Sequence, residues 1–439
     1  MQNVRIMRLF LRGKRGDGCD KMESNNPLQL KGDPVMKNLL SLMLALMLCI
    51  APLVHAEDNR AALDYQPLKE LTAKYGFTMG APMSAGDLGN FNYRKLLMHH
   101  FDTITPTNEL KAYSLLDQRA SKAAEDGMPR MNFTTADKMV KFASDFGLKV
   151  RGHVLVWDAY MTQWFFHEGY DTKNPVVDQE TMKLRMKSYI EQVVTHFEEK
   201  FPGVVYCWDV VNEAVGDSIG QYAPNDLRRV RTTRNGEANP FYEYVGEDYV
   251  ELAFLYTRDV VEALGADIKL FYNDYNAIYN DKRGAIKQLV RSINSYAKDE
   301  NGEFRQLVDG VGMQGYIGGY GKQQGCFSSN DVNLVRKSIK EYAALGVEVQ
   351  VTEMSLRNYE EDKNPQHAAF YGKVFEVFCT ANDGENNPLT SVAIWGLLDC
   401  NNQPNSYSWK QNGPYCGLFT VKLRVKDSFK TIYTQMGGE

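Results

Sequence analysis

Short runs of β-branched and aromatic residues alternate along the chain with longer stretches whose apolar positions recur every three to four residues. The short runs are Thr78–Ala81, Thr103–Thr105, Leu148–Val156, Val204–Val211, Lys269–Tyr272, Val311–Gln314, Val347–Thr352 and Val392–Trp395. The longer ones predict helices over Thr181–Lys200, Val250–Leu264, Gly284–Ala297 and Val332–Leu345, among others. Ser328 with Asp331 three positions on reads as a capping-box-like start for the last of these, and Gly346 as its stop. Strand–helix alternation without a hairpin signal implies a parallel sheet. Eight such units imply closure, so the expected class is α/β, a (β/α)8 TIM barrel, with residues 57–439 as one catalytic domain.

The stretch Val204–Val215 organises the rest. It starts as a strand apolar on both faces and ends in an amide and an acid, Asn212 and Glu213. A second stretch, Val347–Ser355, has the same form and carries Glu353 near its end. Parallel barrels present their chemistry at the carboxyl ends of the strands. The residues expected there are Asn108 and Lys111 after the second strand, and Trp157 and Asp158 after the third. Asn212 and Glu213 follow the fourth, Asn273 to Asn276 with Tyr275 the fifth, Gln314 and Tyr316 the sixth, Glu353 the seventh and Trp395 the eighth. Each has an ordinary reading: a strand-end Glu as a salt-bridged loop residue, a Trp as core, His153 as a satisfied core histidine. Their joint placement favours chemistry.

Two carboxyl groups facing each other across a barrel mouth are what glycoside hydrolysis requires. One protonates the leaving oxygen; the other attacks the anomeric carbon or directs water at it. Carboxyls about 5–5.5 Å apart retain configuration, and a wider gap inverts it. Asn212 is placed to bond a sugar hydroxyl beside the reacting carbon. Trp157, Trp395 and Trp409 offer flat faces for sugar rings, and Lys111 and His153 polar clamps.

Composition narrows this further. The 439 residues are 44% hydrophobic and 24% charged, as in a folded soluble protein, and a net charge of −5 offers no electrostatic case for nucleic acid. None of the seven histidines pairs with another at zinc-site spacing, so no cofactor or metal is expected. Met36-Lys37-Asn38 precedes an apolar run from Leu39 to Val54, and Val54-His55-Ala56 resembles a signal-peptidase site. The expectation is translation from Met36, with residues 1–35 spurious, and export to the periplasm, cell surface or exterior. The mature chain has no membrane span and is expected to be a monomer. Beyond the signal lie Cys207, Cys326, Cys379, Cys400 and Cys416. Five is odd; Cys207 sits in a core strand, and Cys400 with Cys416, flanking one loop, is a possible bridge.

The chain closely resembles glycoside hydrolase family 10, the retaining endo-β-1,4-xylanases, from about Leu68 to Thr434. Six pieces occur in order: RGHVLVW (Arg151–Trp157), WDVVNE (Trp208–Glu213), NDYN (Asn273–Asn276), GVGMQ (Gly310–Gln314), VTE (Val351–Glu353) and WGLLD (Trp395–Asp399). The resemblance implies a (β/α)8 barrel, Glu213 as acid/base and Glu353 as nucleophile. It implies a β-1,4-linked, xylan-class substrate, with Asn108, Lys111, His153, Trp157, Asn212, Gln314, Trp395 and Trp409 at sugar-binding positions.

The departures bear on substrate. Where the family reads Trp-His-Ser-Gln, this chain has Trp157-Asp158-Ala159-Tyr160. The family's Glu-Asn becomes Thr107-Asn108, and the Trp after its Lys becomes Ala112. Its Gln-x-His becomes Gln314-Gly315-Tyr316, and its Glu-Leu-Asp becomes Glu353-Met354-Ser355. The His and Asp that support the family's nucleophile are thus replaced together, with Tyr316 able to keep one hydrogen bond to Glu353. Both carboxylates remain, and the expectation is weaker activity on plain linear xylan, with decorated xylan as the fitting substrate. Two other readings use the same residues: a β-glycanase of different specificity, and a carbohydrate-binding homologue with little turnover. The segment Gly216–Gly246, with Arg228, Arg229, Arg231 and Arg234, reads as a solvated loop or as a site for acidic side-chain sugars.

Overall fold

The computed structural model describes residues 61–217, 230–232, 236–318, 327–399 and 413–439. The expected start and the signal segment fall outside these residues, as does Cys400, one half of the possible Cys400–Cys416 bridge. Eight parallel strands form the barrel: β1 (Thr78–Met83), β2 (Thr103–Pro106), β3 (Lys149–Val156), β4 (Val205–Asn212), β5 (Lys269–Asp274), β6 (Gly310–Met313), β7 (Glu348–Leu356) and β8 (Leu389–Ile394). Each pairs with the next, β8 pairs back to β1, and all eight are linked in one closed ring. The α/β, (β/α)8 expectation holds. Past β6, Tyr316–Ile317 pairs in parallel with the end of β7, Tyr316 opposite Ser355.

A helix follows every strand: α1 (Phe91–His100), α2 (Thr134–Asp145), α3 (Gln179–Lys200), α4 (Tyr249–Leu264), α5 (Asn280–Ile293), α6 (Ser329–Ala343), α7 (Asn364–Cys379) and α8 (Asp427–Gln435). The caps explain most boundaries. Asp178 accepts the Thr181 N–H at 3.0 Å to open α3, and Ser328 accepts the Asn330 N–H at 3.2 Å to open α6. Gly265 at φ 61° ends α4 in the left-handed conformation that a Cβ disfavours. The expected Gly284–Ala297 helix is displaced: α5 starts at Asn280 and stops at Ile293. Its first turn contains Lys282 and Arg283, charged in sequence but buried by bonds to Val215 O (2.6 Å) and Ser338 Oγ (3.2 Å). The last strand likewise begins earlier than expected, at Leu389.

The barrel interior holds one charged cluster. Arg151 on β3 lies against the Asp209 carboxylate of β4, donates to Gln350 Oε1 of β7 at 2.5 Å, and sits 4.8 Å from the centre of the Phe271 ring. All four residues are buried. Two glycines make room: a Cβ on Gly152 would meet the Trp208 ring at 2.4 Å, and one on Gly310 the Phe271 ring at 2.1 Å. Among the described residues no helix is long and apolar enough to cross a membrane.

Candidate active site

β4 ends at Asn212, and Glu213 turns out of it at φ 55°, a left-handed conformation unusual for a residue with a Cβ. Its N–H donates to Asn273 O on β5 at 2.9 Å, which fixes the turn. Gln314, one residue past β6, donates to Glu213 Oε1 at 2.8 Å and to Asn212 Oδ1 at 3.4 Å. Asn273 Nδ2 donates to Asn212 Oδ1 at 3.0 Å and to Glu353 Oε1 at 3.2 Å. Thr352 Oγ1 donates to Asn273 Oδ1 at 2.7 Å and so fixes that amide. Gly312 leaves space for it, since a Cβ there would stand 2.3 Å from Asn273 Oδ1. Four strand ends therefore bring Glu213 and Glu353 into one hydrogen-bonded network.

The two acids sit in different surroundings. Burial holds the Glu213 carboxyl up to about 7, opposed by the Arg231 guanidinium and the Gln314 bond, while the charges of Asp274 and Glu353 add to the rise. Glu353, 6% exposed, receives donors on both oxygens: Asn273 on Oε1, and the Tyr316 hydroxyl on Oε2 at 2.5 Å. Burial and the neighbouring Glu353 push the Tyr316 phenol well above its ordinary value, so it remains a donor. The expected Tyr316–Glu353 bond is present. Ser355 is buried beside it, its hydroxyl without a partner.

Asn108, Trp157 and Tyr160 group around Lys111. Its ammonium donates to Asn108 Oδ1 at 3.1 Å and lies 4.1 Å from the Tyr160 ring centre and 5.1 Å from that of Trp157. Burial pulls Lys111 down to about 8, while Glu353 and Glu213 hold it up, so the ammonium faces both acids. Asn108 itself is exposed. His153 is buried, with Nδ1 bonded to Asp209 Oδ2 at 2.9 Å; on that side it is the satisfied core histidine. Trp395 is buried and its backbone N–H donates to Met354 O at 2.8 Å, beside Glu353. Tyr275 donates to Asp217 Oδ2 at 3.2 Å and carries the Lys282 ammonium 4.0 Å from its ring centre. Trp409 lies outside the described residues. The Asn212 amide nitrogen and the indole nitrogens of Trp157 and Trp395 are buried without partners. Unspent donors of this kind are what a bound polyhydroxylated ligand satisfies.

The family model described as glycosyl hydrolase family 10 matches residues 67–435. The chain belongs to that family. Relatives of this family 10 chain include a Caldicellulosiruptor saccharolyticus protein, 33% identical over 331 residues that cover 69% of the chain and 97% of the relative. A β-1,4-xylanase of Dictyoglomus thermophilum is 30% identical, covering 86% of the chain and 91% of the relative. Against the endo-1,4-β-xylanase A of Thermotoga maritima identity is 33% over 82% of the chain, which spans only 30% of that longer protein. Among solved structures, the CBM22-1–GH10 modules of a Clostridium thermocellum endo-1,4-β-D-xylanase complexed with xylohexaose superpose with a TM-score of 0.70. They are 27% identical, and the match covers 84% of this chain and 67% of that one. The endo-1,4-β-xylanase of Caldicellulosiruptor owensensis gives 0.63 at 28% identity, covering 83% and 98%.

Three residues have roles in this site that the sequence alone does not show. Asn273 lies within the NDYN motif, but only the fold shows the amide bridging Asn212 and Glu353. Asp209, inside the WDVVNE motif, meets both Arg151 and His153. Arg231 lies in the segment that reads in sequence as a solvated loop or as a site for acidic side-chain sugars. In the structure its guanidinium is 2.9 Å from Asp158 Oδ1 and 3.5 Å from Glu213 Oε2.

Proposed function

We propose that this family 10 glycosyl hydrolase cleaves β-1,4-xylosidic bonds in xylan with retention of configuration, Glu213 serving as acid/base and Glu353 as nucleophile. The observation that carries the proposal is the unlike setting of two linked carboxyls. Glu213 is largely buried and holds its proton near neutral pH, whereas Glu353 carries one donor on each oxygen, Asn273 and Tyr316, which leaves neither oxygen to a proton of its own in this arrangement of bonds. In the first half-reaction Glu353 attacks the anomeric carbon as Glu213 protonates the departing oxygen. In the second, Glu213 takes a proton from the water that releases the sugar from Glu353. The Asn212 amide, buried with its N–H2 unspent, is positioned for the hydroxyl next to the reacting carbon. Lys111, Trp157, Tyr160 and Trp395 form the wall against which the sugars rest.

Xylan as substrate is supported by the names of the relatives and by xylohexaose in the Clostridium thermocellum structure. Substituted xylan is the better substrate, because Thr107 and Tyr160 stand where the family's acid and amide would bind plain sugars. Thr107 is buried with its hydroxyl unpaired. Release of aryl from an aryl β-xylobioside, with the first product's anomer followed by NMR, tests the reading. The expected result is a β product from the wild type and at least a thousandfold loss in Glu353→Ala. Equal release from both proteins, or an α product, would overturn it. Export is also assigned to residues 36–56; one solved relative, from Thermoanaerobacterium saccharolyticum, is titled an intracellular xylanase, so family membership does not decide location. Recovery of an uncleaved chain from the cytoplasm alone would refute export.

A further inference from the structure

The Arg231–Asp158 contact is not explained by packing alone. The Arg231 N–H donates to Ala214 O at 2.8 Å, which pins it to the residue directly after Glu213. Its side chain is 19% exposed and that of Asp158 is 4% exposed, and the two form an ion pair at 2.9 Å at the edge of the site. The same nitrogen, Nη2, stands 3.5 Å from Glu213 Oε2, and Arg231 Nε is buried without a partner. Asp158 immediately follows Trp157 and occupies a position where the family reads His. An acid there and a guanidinium 73 positions later in sequence form one unit.

We infer that Asp158 and Arg231 are a positioning pair that holds the Glu213 carboxyl group and sets how readily it releases and recovers its proton. The inference rests on the reading of Glu213 as acid/base. When the bond to the leaving oxygen breaks and the Glu353–sugar bond forms, the Glu213 proton goes to that oxygen and a carboxylate remains beside Arg231. When water attacks, its proton returns to Glu213 as the Glu353–sugar bond breaks. A bare guanidinium would over-stabilise the carboxylate and make it a poor acid; Asp158 takes up part of that charge. The other groups facing Glu213 are Asp274 from β5, Glu353 from β7, Lys111 after β2, the hydroxyls of Tyr275 and Tyr316, and the neutral Gln314. Among the described residues, Arg231 is the cation within ion-pair distance of Glu213.

The two halves of the pair predict opposite displacements of one observable, which a merely structural role would not produce. In the pH profile of kcat/KM on an aryl β-xylobioside, Arg231→Met removes a stabiliser of the carboxylate. The alkaline limb is expected to move up by about one pH unit. Asp158→Asn frees the guanidinium toward Glu213, and the limb moves down by a similar amount. Arg231→Lys restores most of the wild-type position. Limbs that stay put, or move in the same direction in both variants, overturn the inference. If Arg231→Met fails to fold by circular dichroism, Asp158→Asn decides alone: a downward move supports the pair, and an unmoved limb refutes it. A Glu213→Ala variant that keeps the wild-type limb would instead refute the acid/base reading on which the inference rests.

Discussion

Glu213 illustrates at residue scale how a site trades stability for chemistry. Its folded value of about 7 exceeds the ordinary 4.5, so between those values the folded state binds the proton more tightly than the unfolded state. Stability therefore falls as pH rises through this window, and the cost is fully present above pH 7. Glu213→Gln, which keeps the shape and drops the charge, should raise the unfolding free energy by about 1–3 kcal/mol at pH 8 and leave it nearly unchanged at pH 4. Urea titrations at the two pH values check this; equal effects at both would mean that the carboxyl is not strained by burial. Tyr316 gives a second test. Tyr316→Phe deletes the 2.5 Å donor to Glu353 Oε2 and leaves Asn273 as the hydrogen-bond donor to that carboxyl group among the described residues. A hydrogen bond to a charged group is worth about 1.5–3 kcal/mol, so kcat on an aryl β-xylobioside should drop about ten- to a hundredfold. A drop under twofold would show that the bond does not act in the transition state. The two acids, Asn212, Gln314 and Tyr316 were legible in sequence because each lies in or just past the carboxyl-terminal half of a strand, and those strand ends converge in a barrel. Arg231 was legible only as one of four arginines in a segment, because its partners Asp158 and Glu213 lie 73 and 18 positions away. His153 was half legible: its type suggested a clamp, but the acid that satisfies it, Asp209, comes from the adjacent strand.

At the scale of elements, β3 and β4 carry an arrangement that alternating hydrophobicity does not foresee. Arg151, His153 and Asp209 sit inside the barrel, where a purely apolar lining is the default. The Asp209 carboxylate answers both neighbours, meeting the Arg151 guanidinium and, at 2.9 Å, His153 Nδ1. The β3–β4 pairing shifts register on either side of this cluster, between Val150 and Arg151 and between His153 and Val156. Removing one partner of such a cluster strands the other in a low dielectric. Asp209→Ala is expected to lower the unfolding free energy by about 3–5 kcal/mol, whereas Asp209→Asn, which retains hydrogen-bonding groups, should cost less. Thermal unfolding of the two variants checks the order, and a harmless Asp209→Ala would mean that Arg151 finds another acid. Strand positions were readable here because Val and Ile runs mark them. The starts of α5 and β8 were not, because tertiary contacts rather than local propensity bury Lys282 and Arg283 and extend β8 back to Leu389.

Across the whole molecule, β8 pairs back to β1 to close the barrel, and two buried histidines outside the site, His100 and His367, bear on its acid stability. His100, at the end of α1, bonds Ala62 O through Nε2 at 2.8 Å and accepts the Leu68 N–H at Nδ1 at 3.3 Å. Its ring lies 5.3 Å from that of Phe429 in α8, and Phe429 in turn packs edge-on against Tyr65 at 5.1 Å. His367 in α7 bonds Leu356 O, at the end of β7, at 2.9 Å. Burial lowers both imidazoles to about 3, against an ordinary 6.5. As pH falls below 6.5 the unfolded chain therefore takes up protons that the folded chain refuses. The stability conferred by the neutral rings is full above pH 6.5 and is lost progressively down to about pH 3. The buried carboxylates whose values are raised, Asp102, Asp274 and Asp399 among them, act in the opposite sense, since the folded state binds their protons first. The net acid response of the wild type thus mixes the two contributions, and only a difference between proteins isolates the histidines. Unfolding free energies of wild type and His100→Gln, measured by urea titration from pH 7 to pH 4, should separate them. The variant is expected to be weaker at pH 7, where it loses the packed ring and its two bonds. Its stability should then decline less steeply on acidification, by about 1 kcal/mol per pH unit below pH 6.5. Parallel curves would show that His100 titrates alike in the folded and unfolded chains, and that acid sensitivity arises elsewhere.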